Sequence, residues 1–214
     1  MHSMISKKKR LAGCRLYLIL DIGVCDHGRS WEILKAAVRG GVDIVELRDK
    51  HGQPRETLKF ARRIQAYLAD RIPFIVNDRV DIALLSGASG VHVGQDDLSI
   101  GEARKILGRH KIVGTSCQTL AHIRRAEEEG ADYIGFGSVF KTLTKPDRPA
   151  MDAALLRAAS QKARVPLFAI GGITRKNLSS VSDCGHRRVA VCRDIMLAHD
   201  VAFSVGELKK ILQT

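Results

Sequence analysis

This sequence predicts a single (β/α)8 barrel, and three observations carry the expectation. Eight short β-branched runs recur along the chain, longer stretches with apolar spacing near 3.6 separate them, and polar groups gather where the runs end. A doubly wound open sheet is the alternative that the same alternation permits.

The strands are expected at 15–21 (RLYLILD), 42–48 (VDIVELR), 73–77 (PFIVN), 90–94 (GVHVG), 111–116 (KIVGTS), 132–137 (DYIGFG), 165–171 (VPLFAIG) and 188–192 (RVAVC). Between them, SWEILKAAVRGG, PRETLKFARRIQAYLADR, TLAHIRRAEEEGA and MDAALLRAASQKA read as amphipathic helices. Several open at a capping residue or proline and close near glycine. A barrel of 214 residues needs no second domain. The expected division is a mobile basic arm at 1–14 and the barrel domain at 15–214.

Composition narrows the function classes. With 45% hydrophobic and 27% charged residues the chain has the balance of a folded soluble protein. Its 35 basic against 23 acidic side chains give a net charge of +12, a bias toward anions such as phosphate esters. Outside KKKR at 7–10 the basic residues are dispersed, and aromatics make up 5%, so specific nucleic-acid binding is not expected. Cys14, Cys25, Cys117, Cys184 and Cys192 include no C-x-x-C pair, which fits reduced thiols in a cytoplasmic protein better than a zinc ribbon or a disulfide framework. The run LYLIL is too short for a signal-peptide core or a membrane span, so neither export nor membrane association is expected. Self-association into a homo-oligomer is compatible with the sequence.

The strand ends hold the candidate chemistry. In VELRDK, Glu46, Arg48 and Lys50 alternate, so a continuing strand points all three to one face. Asn77 and Asp78 follow the third strand, and Asp96 and Asp97 follow the fourth. Each aspartate is placed either to cap the next helix or to join a magnesium site, which commonly uses one or two carboxylates. His92, in mid-strand, reads as a buried structural histidine. After the sixth strand Thr142 and Thr144 alternate ahead of Lys145, a compact charge suited to phosphate, while Lys141 and Asp147 read as loop surface. The seventh strand ends in AIGGIT, where Gly171 and Gly172 leave backbone N–H groups open to an anion.

Taken in order, VELRDK, VNDRVDIAL, GVHVGQDDL, GTSCQT, GFGSVFKTLTK and AIGGIT resemble the thiamine-phosphate synthase family and its relatives the thiazole tautomerases, across residues 15–196. The resemblance implies a TIM-barrel transferase acting on small phosphorylated substrates: it joins a pyrimidine methyl diphosphate to a thiazole phosphate, with Mg2+ as cofactor, releasing pyrophosphate. It assigns Glu46, Arg48, Lys50, Asn77, Ser116 and Lys145 to the pyrimidine diphosphate, with Arg48, Lys50 and Lys145 neutralising the leaving group. It assigns Thr142, Thr144, Gly172, Cys192 and Arg193 to the thiazole phosphate, and Asp78 and Asp97 to magnesium.

The chain departs from the family pattern at several of these points. Glu46 stands where glutamine is usual, and it either pairs with Arg48 or accepts from the aminopyrimidine. Ser138 and Lys141 replace two prolines. In CGHRRVAVCRD, His186, Arg187 and Arg188 replace small or acidic residues, while Arg193 and Asp194 replace a serine and a small residue. Arg187 and Arg188 read as a solvated basic turn; Arg193 either binds phosphate or fills its pocket. Gln118 occupies the position where the tautomerases are expected to use histidine, and glutamine shuttles no proton near neutral pH. The alternatives to a synthase are therefore a tautomerase-like isomerase and a non-catalytic binder of thiamine precursors.

Overall fold

The computed structural model describes residues 7–142 and 149–213. Its strands are β1 (Leu16–Asp21), β2 (Ile44–Arg48), β3 (Phe74–Asn77), β4 (Gly90–Val93), β5 (Ile112–Cys117), β6 (Tyr133–Phe136), β7 (Leu167–Ile170) and β8 (Val189–Val191). All pairings are parallel and in chain order, and β8 closes on β1, so the sheet is a closed barrel rather than an open one. The described helices are α1 (Lys7–Ala12), α2 (His27–Gly40), α3 (Pro54–Leu68), α4 (Val80–Ser86), α5 (Ile100–Leu107), α6 (Leu120–Glu128), α7 (Ala153–Lys162), α8 (Leu178–Asp183), α9 (Arg193–Met196) and α10 (Val201–Gln213). None of them is long and apolar enough to cross a membrane.

Alternation along each strand sorts its side chains into two layers. Outward residues such as Leu16, Leu18, Val45 and Phe74 pack under the helices. Inward residues, among them Tyr17, Ile44, Ile75, Ile112, Tyr133 and Phe168, fill the barrel. Tyr133 fits because its neighbour across the β5–β6 ladder is Gly114, whose Cβ would overlap the tyrosine ring. Filling the lower barrel this way leaves the C-terminal mouth open to a ligand.

The segment expected as a mobile arm is folded from Lys7 onward. It forms α1, and Leu11 plugs the lower end of the barrel at 1% exposure, packed in the interior cluster. The reason is apolar burial joined to carbonyl capping: Arg188 donates through Nη2 to Ala12 O (2.9 Å) and through Nε to Cys14 O (3.2 Å). Arg187 likewise donates to Ser182 O at 3.0 Å. These two arginines are therefore engaged with backbone carbonyls instead of forming a solvated turn.

His186 has a structural role of the same kind. Its Nδ1 lies 2.7 Å from Ser160 Oγ, and its Nε2 lies 3.3 Å from the Ala169 nitrogen, whose N–H donates to Arg188 O at 2.9 Å. Burial pushes its pKa down to about 4. The unfolded histidine, with an ordinary value near 6.5, binds its proton at higher pH than the folded one. Stability is therefore expected to fall as pH drops from about 6.5 to about 4, by on the order of 3 kcal/mol from this residue. Urea melts of the unaltered protein and of His186→Gln across that window test this; equal pH slopes in the two would contradict it.

Candidate functional site at the barrel mouth

Two strand-end residues missed or only half-read in the sequence organise the mouth. In the β1–β2 ladder Asp21 is the register partner of Arg48, so both side chains point inward side by side. Arg48 Nη1 donates to Asp21 Oδ2 at 2.6 Å, and the Gly23 N–H donates to the other carboxylate oxygen at 2.9 Å. Asp21 is 3% exposed, so its charge is compensated inside the protein and Arg48 is held in one orientation. The signal was available: Tyr17, Ile19 and Asp21 share the inward period of Glu46 and Arg48.

Glu46 belongs to a second arrangement. Tyr17 donates its hydroxyl to Glu46 Oε2 at 2.6 Å, and the Tyr17 and Tyr133 hydroxyls lie 2.9 Å apart. Tyr133 reaches His92 Nδ1 at 3.0 Å, and His92 Nε2 lies 3.0 Å from Ser116 Oγ. Five side chains from β1, β2, β4, β5 and β6 thus form one buried chain across the barrel. Burial, then the Glu46 charge, raises the pKa of both tyrosines well above its ordinary value, so they stay protonated. Tyr17→Phe removes the donor to Glu46 and is expected to destabilise the fold by about 1–3 kcal/mol, read from denaturant midpoints; an unchanged midpoint would contradict the assigned bond. His92, expected to be structural, is buried in this chain and also lines the cavity above it.

That cavity has a volume of about 270 Å³. Glu46, Arg48, Asn77 and Ser116 line one side, and Thr142, Gly172, Cys192 and Arg193 line another. Lys141, expected at the loop surface, lines it as well. Gly171 and Gly172 turn the chain with φ of 100° and 63°, values that favour glycine. The loop is closed by Asn177, which accepts from the Thr174 N–H (2.7 Å) and donates to Gly172 O (2.9 Å). The Cys192 thiol is pushed up to about 12 by burial first and by the Asp21 charge second, so it is a neutral group. Thr144, Lys145 and Asp147 lie outside the described residues.

A second cavity of about 480 Å³ opens between the β1–α2 and β2–α3 loops, lined by Arg48, Lys50, His51 and Arg193 with Asp21 and Asp49. Lys50 leaves the central cavity because β2 ends at Arg48; its ammonium pairs with the Asp78 carboxylate.

Asp78 and Asp97 cap neither following helix. Helix α4 begins after Arg79 without a side-chain cap, and α5 begins with the reciprocal Ser99–Glu102 capping box. Asp78 instead has φ of 59°, a left-handed conformation that turns the chain sharply after β3. The Gly94 N–H donates to Asp97 Oδ2 at 2.8 Å. Asp97 holds its proton above the usual carboxylate range, through partial burial first and through its hydrogen bond with the Asp78 carboxyl second. Two carboxylates held together beside the Lys50 ammonium form a hard oxygen donor pair that a divalent cation relieves, so they fit magnesium completed by water and substrate oxygens. Among the described residues no cluster of three or more His, Cys, Asp or Glu forms a self-sufficient metal cage.

Comparisons with known proteins place the chain in a family. The family model described as thiamine monophosphate synthase matches residues 16–195. A thiamine-phosphate synthase of Synechococcus sp. is 43% identical over 208 residues, covering 96% of this chain; the chain spans 59% of that relative's length. A thiamine-phosphate synthase of Halalkalibacterium halodurans is 42% identical over 202 residues, covering 93% of this chain and 95% of that protein. The solved thiamine phosphate pyrophosphorylase from Pyrococcus furiosus superposes with a TM-score of 0.84 at 33% identity, covering 93% of this chain and 95% of that one.

Proposed function

Because the chain belongs to the thiamine monophosphate synthase family, we propose that it joins 4-amino-2-methyl-5-(diphosphooxymethyl)pyrimidine to 4-methyl-5-(2-phosphooxyethyl)thiazole, giving thiamine phosphate and pyrophosphate. The observation that carries the reading is the pairing of two cavities across one fixed cation, Arg48, with a carboxylate pair next to Lys50. An apolar, hydrogen-bonding floor suits a heterocycle, and a cationic rim suits its phosphates.

The thiazole nitrogen attacks the pyrimidine methylene carbon with its lone pair as the carbon–oxygen bond to diphosphate breaks. Nitrogen ends with the positive charge of a thiazolium, and the electron pair of the broken bond leaves on diphosphate. No proton is removed, so the residues act by charge and position rather than as acid and base. Arg48, oriented by Asp21, donates to diphosphate oxygens where negative charge develops. Lys50 and Lys145 add charge to the same leaving group. Asn77, Ser116 and Glu46 address the pyrimidine, while Thr142, Thr144, Gly172, Cys192 and Arg193 receive the thiazole phosphate. Mg2+ held by Asp78 and Asp97 would supply further neutralisation of the diphosphate.

The setting that fits phosphorylated biosynthetic intermediates and five unpaired thiols is the cytoplasm. Gln118 offers no titrating group for a tautomerisation. Rescue of a synthase-deficient thiamine auxotroph tests the reading. The gene should restore growth without thiamine, whereas Asp78→Ala and Lys145→Ala should not; failure of the unaltered gene despite soluble expression would contradict it.

A further inference from the structure

The central and second cavities share two lining residues, Arg48 and Arg193. Arg48 is held by Asp21, and Lys50 by Asp78. Among the described residues no carboxylate pairs with Arg193, since neighbouring Asp194 accepts from the Arg175 N–H at 3.0 Å instead. A partly buried guanidinium that no described carboxylate pairs directly sits where two cavities meet, an arrangement whose desolvation cost an anion offsets. Serine, the residue usual here by resemblance, carries no charge.

A guanidinium presents five N–H donors in a rigid plane, so separate edges hold separate oxyanions. On one side of Arg193 lies the Gly171–Thr174 loop, and on the other lie Arg48, Lys50 and His51 together with two carboxylates already engaged, Asp21 by Arg48 and Asp49 by the Gly52 N–H and the Thr57 hydroxyl. We propose that Arg193 bridges two anions at once: a phosphate monoester against the β7–α8 loop in the central cavity, and a diphosphate in the second cavity. The inference rests on the proposed reaction only for the identity of the two anions. Arg193 makes and breaks no bond; it ties the affinities of both phosphorylated groups to one side chain.

Calorimetry of the purified protein with magnesium pyrophosphate, and separately with the thiazole ethyl phosphate, tests the bridge. Arg193→Ala is expected to weaken both ligands by at least about tenfold, the effect of losing a charge-assisted hydrogen bond. Arg193→Lys keeps a point charge without the fork, so it should recover one affinity and not both. Circular dichroism and melting confirm that each variant folds, and Arg193→Gln replaces the alanine variant if that one does not. The bridge is overturned if the uncharged variant leaves either affinity within about twofold, or tightens either, or if lysine recovers both. Turnover by the unaltered protein is measured alongside. Both affinities lost on Arg193→Ala without any thiamine phosphate formed by the unaltered protein would overturn the proposed reaction and keep the bridge. Turnover with a single affinity lost would overturn the bridge alone.

Discussion

Arg48→Ala is expected to lower kcat/KM by about 10²–10³-fold, because one preorganised donor to a developing anion contributes roughly 3 kcal/mol to the transition state. The same change strands the Asp21 carboxylate, which is almost wholly buried, and should cost roughly 3 kcal/mol of stability as well. The two effects separate in Arg48→Ala combined with Asp21→Asn. Neutralising Asp21 should restore much of the stability and none of the turnover. Arg48→Lys should retain part of the turnover, since a point charge replaces the fork. Steady-state kinetics beside urea melts distinguish these outcomes. Loss of stability with turnover per folded molecule intact would remove Arg48 from the chemistry.

The second large effect is expected at the carboxylate pair. Asp78→Ala and Asp97→Ala should each lower turnover by about a hundredfold at a fixed magnesium concentration and raise the magnesium needed for half-maximal rate. In the proposed reaction both residues hold one ion, so the double variant should fall little below the worse single variant. Asp78→Ala also releases Lys50 from its ion pair, which should leave it the more damaging of the two. Magnesium titrations of the rate check this. An unchanged magnesium dependence in both variants would mean that the pair serves only to anchor the loops.

The fold was legible because strand and helix periods differ, and each of the eight expected runs overlaps an observed strand. The inward alternation of Glu46 and Arg48 was legible for the same reason. The partner of Arg48 was legible only in part: alternation points Asp21 inward, but its pairing with Arg48 depends on the register between β1 and β2. Nor could periodicity reveal that α1 plugs the barrel base, since the burial of Leu11 depends on carbonyl contacts from Arg188 in a distant part of the chain. Tyr17 and Tyr133 lie within expected strands, but joining their hydroxyls to Glu46 and His92 takes the tertiary arrangement of the barrel. Lys50 illustrates the limit of strand periodicity: β2 ends two residues before it, and the loop carries its ammonium to Asp78.

The most direct measurement is product analysis after incubating the purified protein with both substrates and magnesium. Thiamine phosphate and pyrophosphate should appear in equal amounts, with formation suppressed in Arg48→Ala and in Asp78→Ala. No thiamine phosphate at high enzyme concentration, from protein that is folded and binds pyrophosphate, would contradict the account.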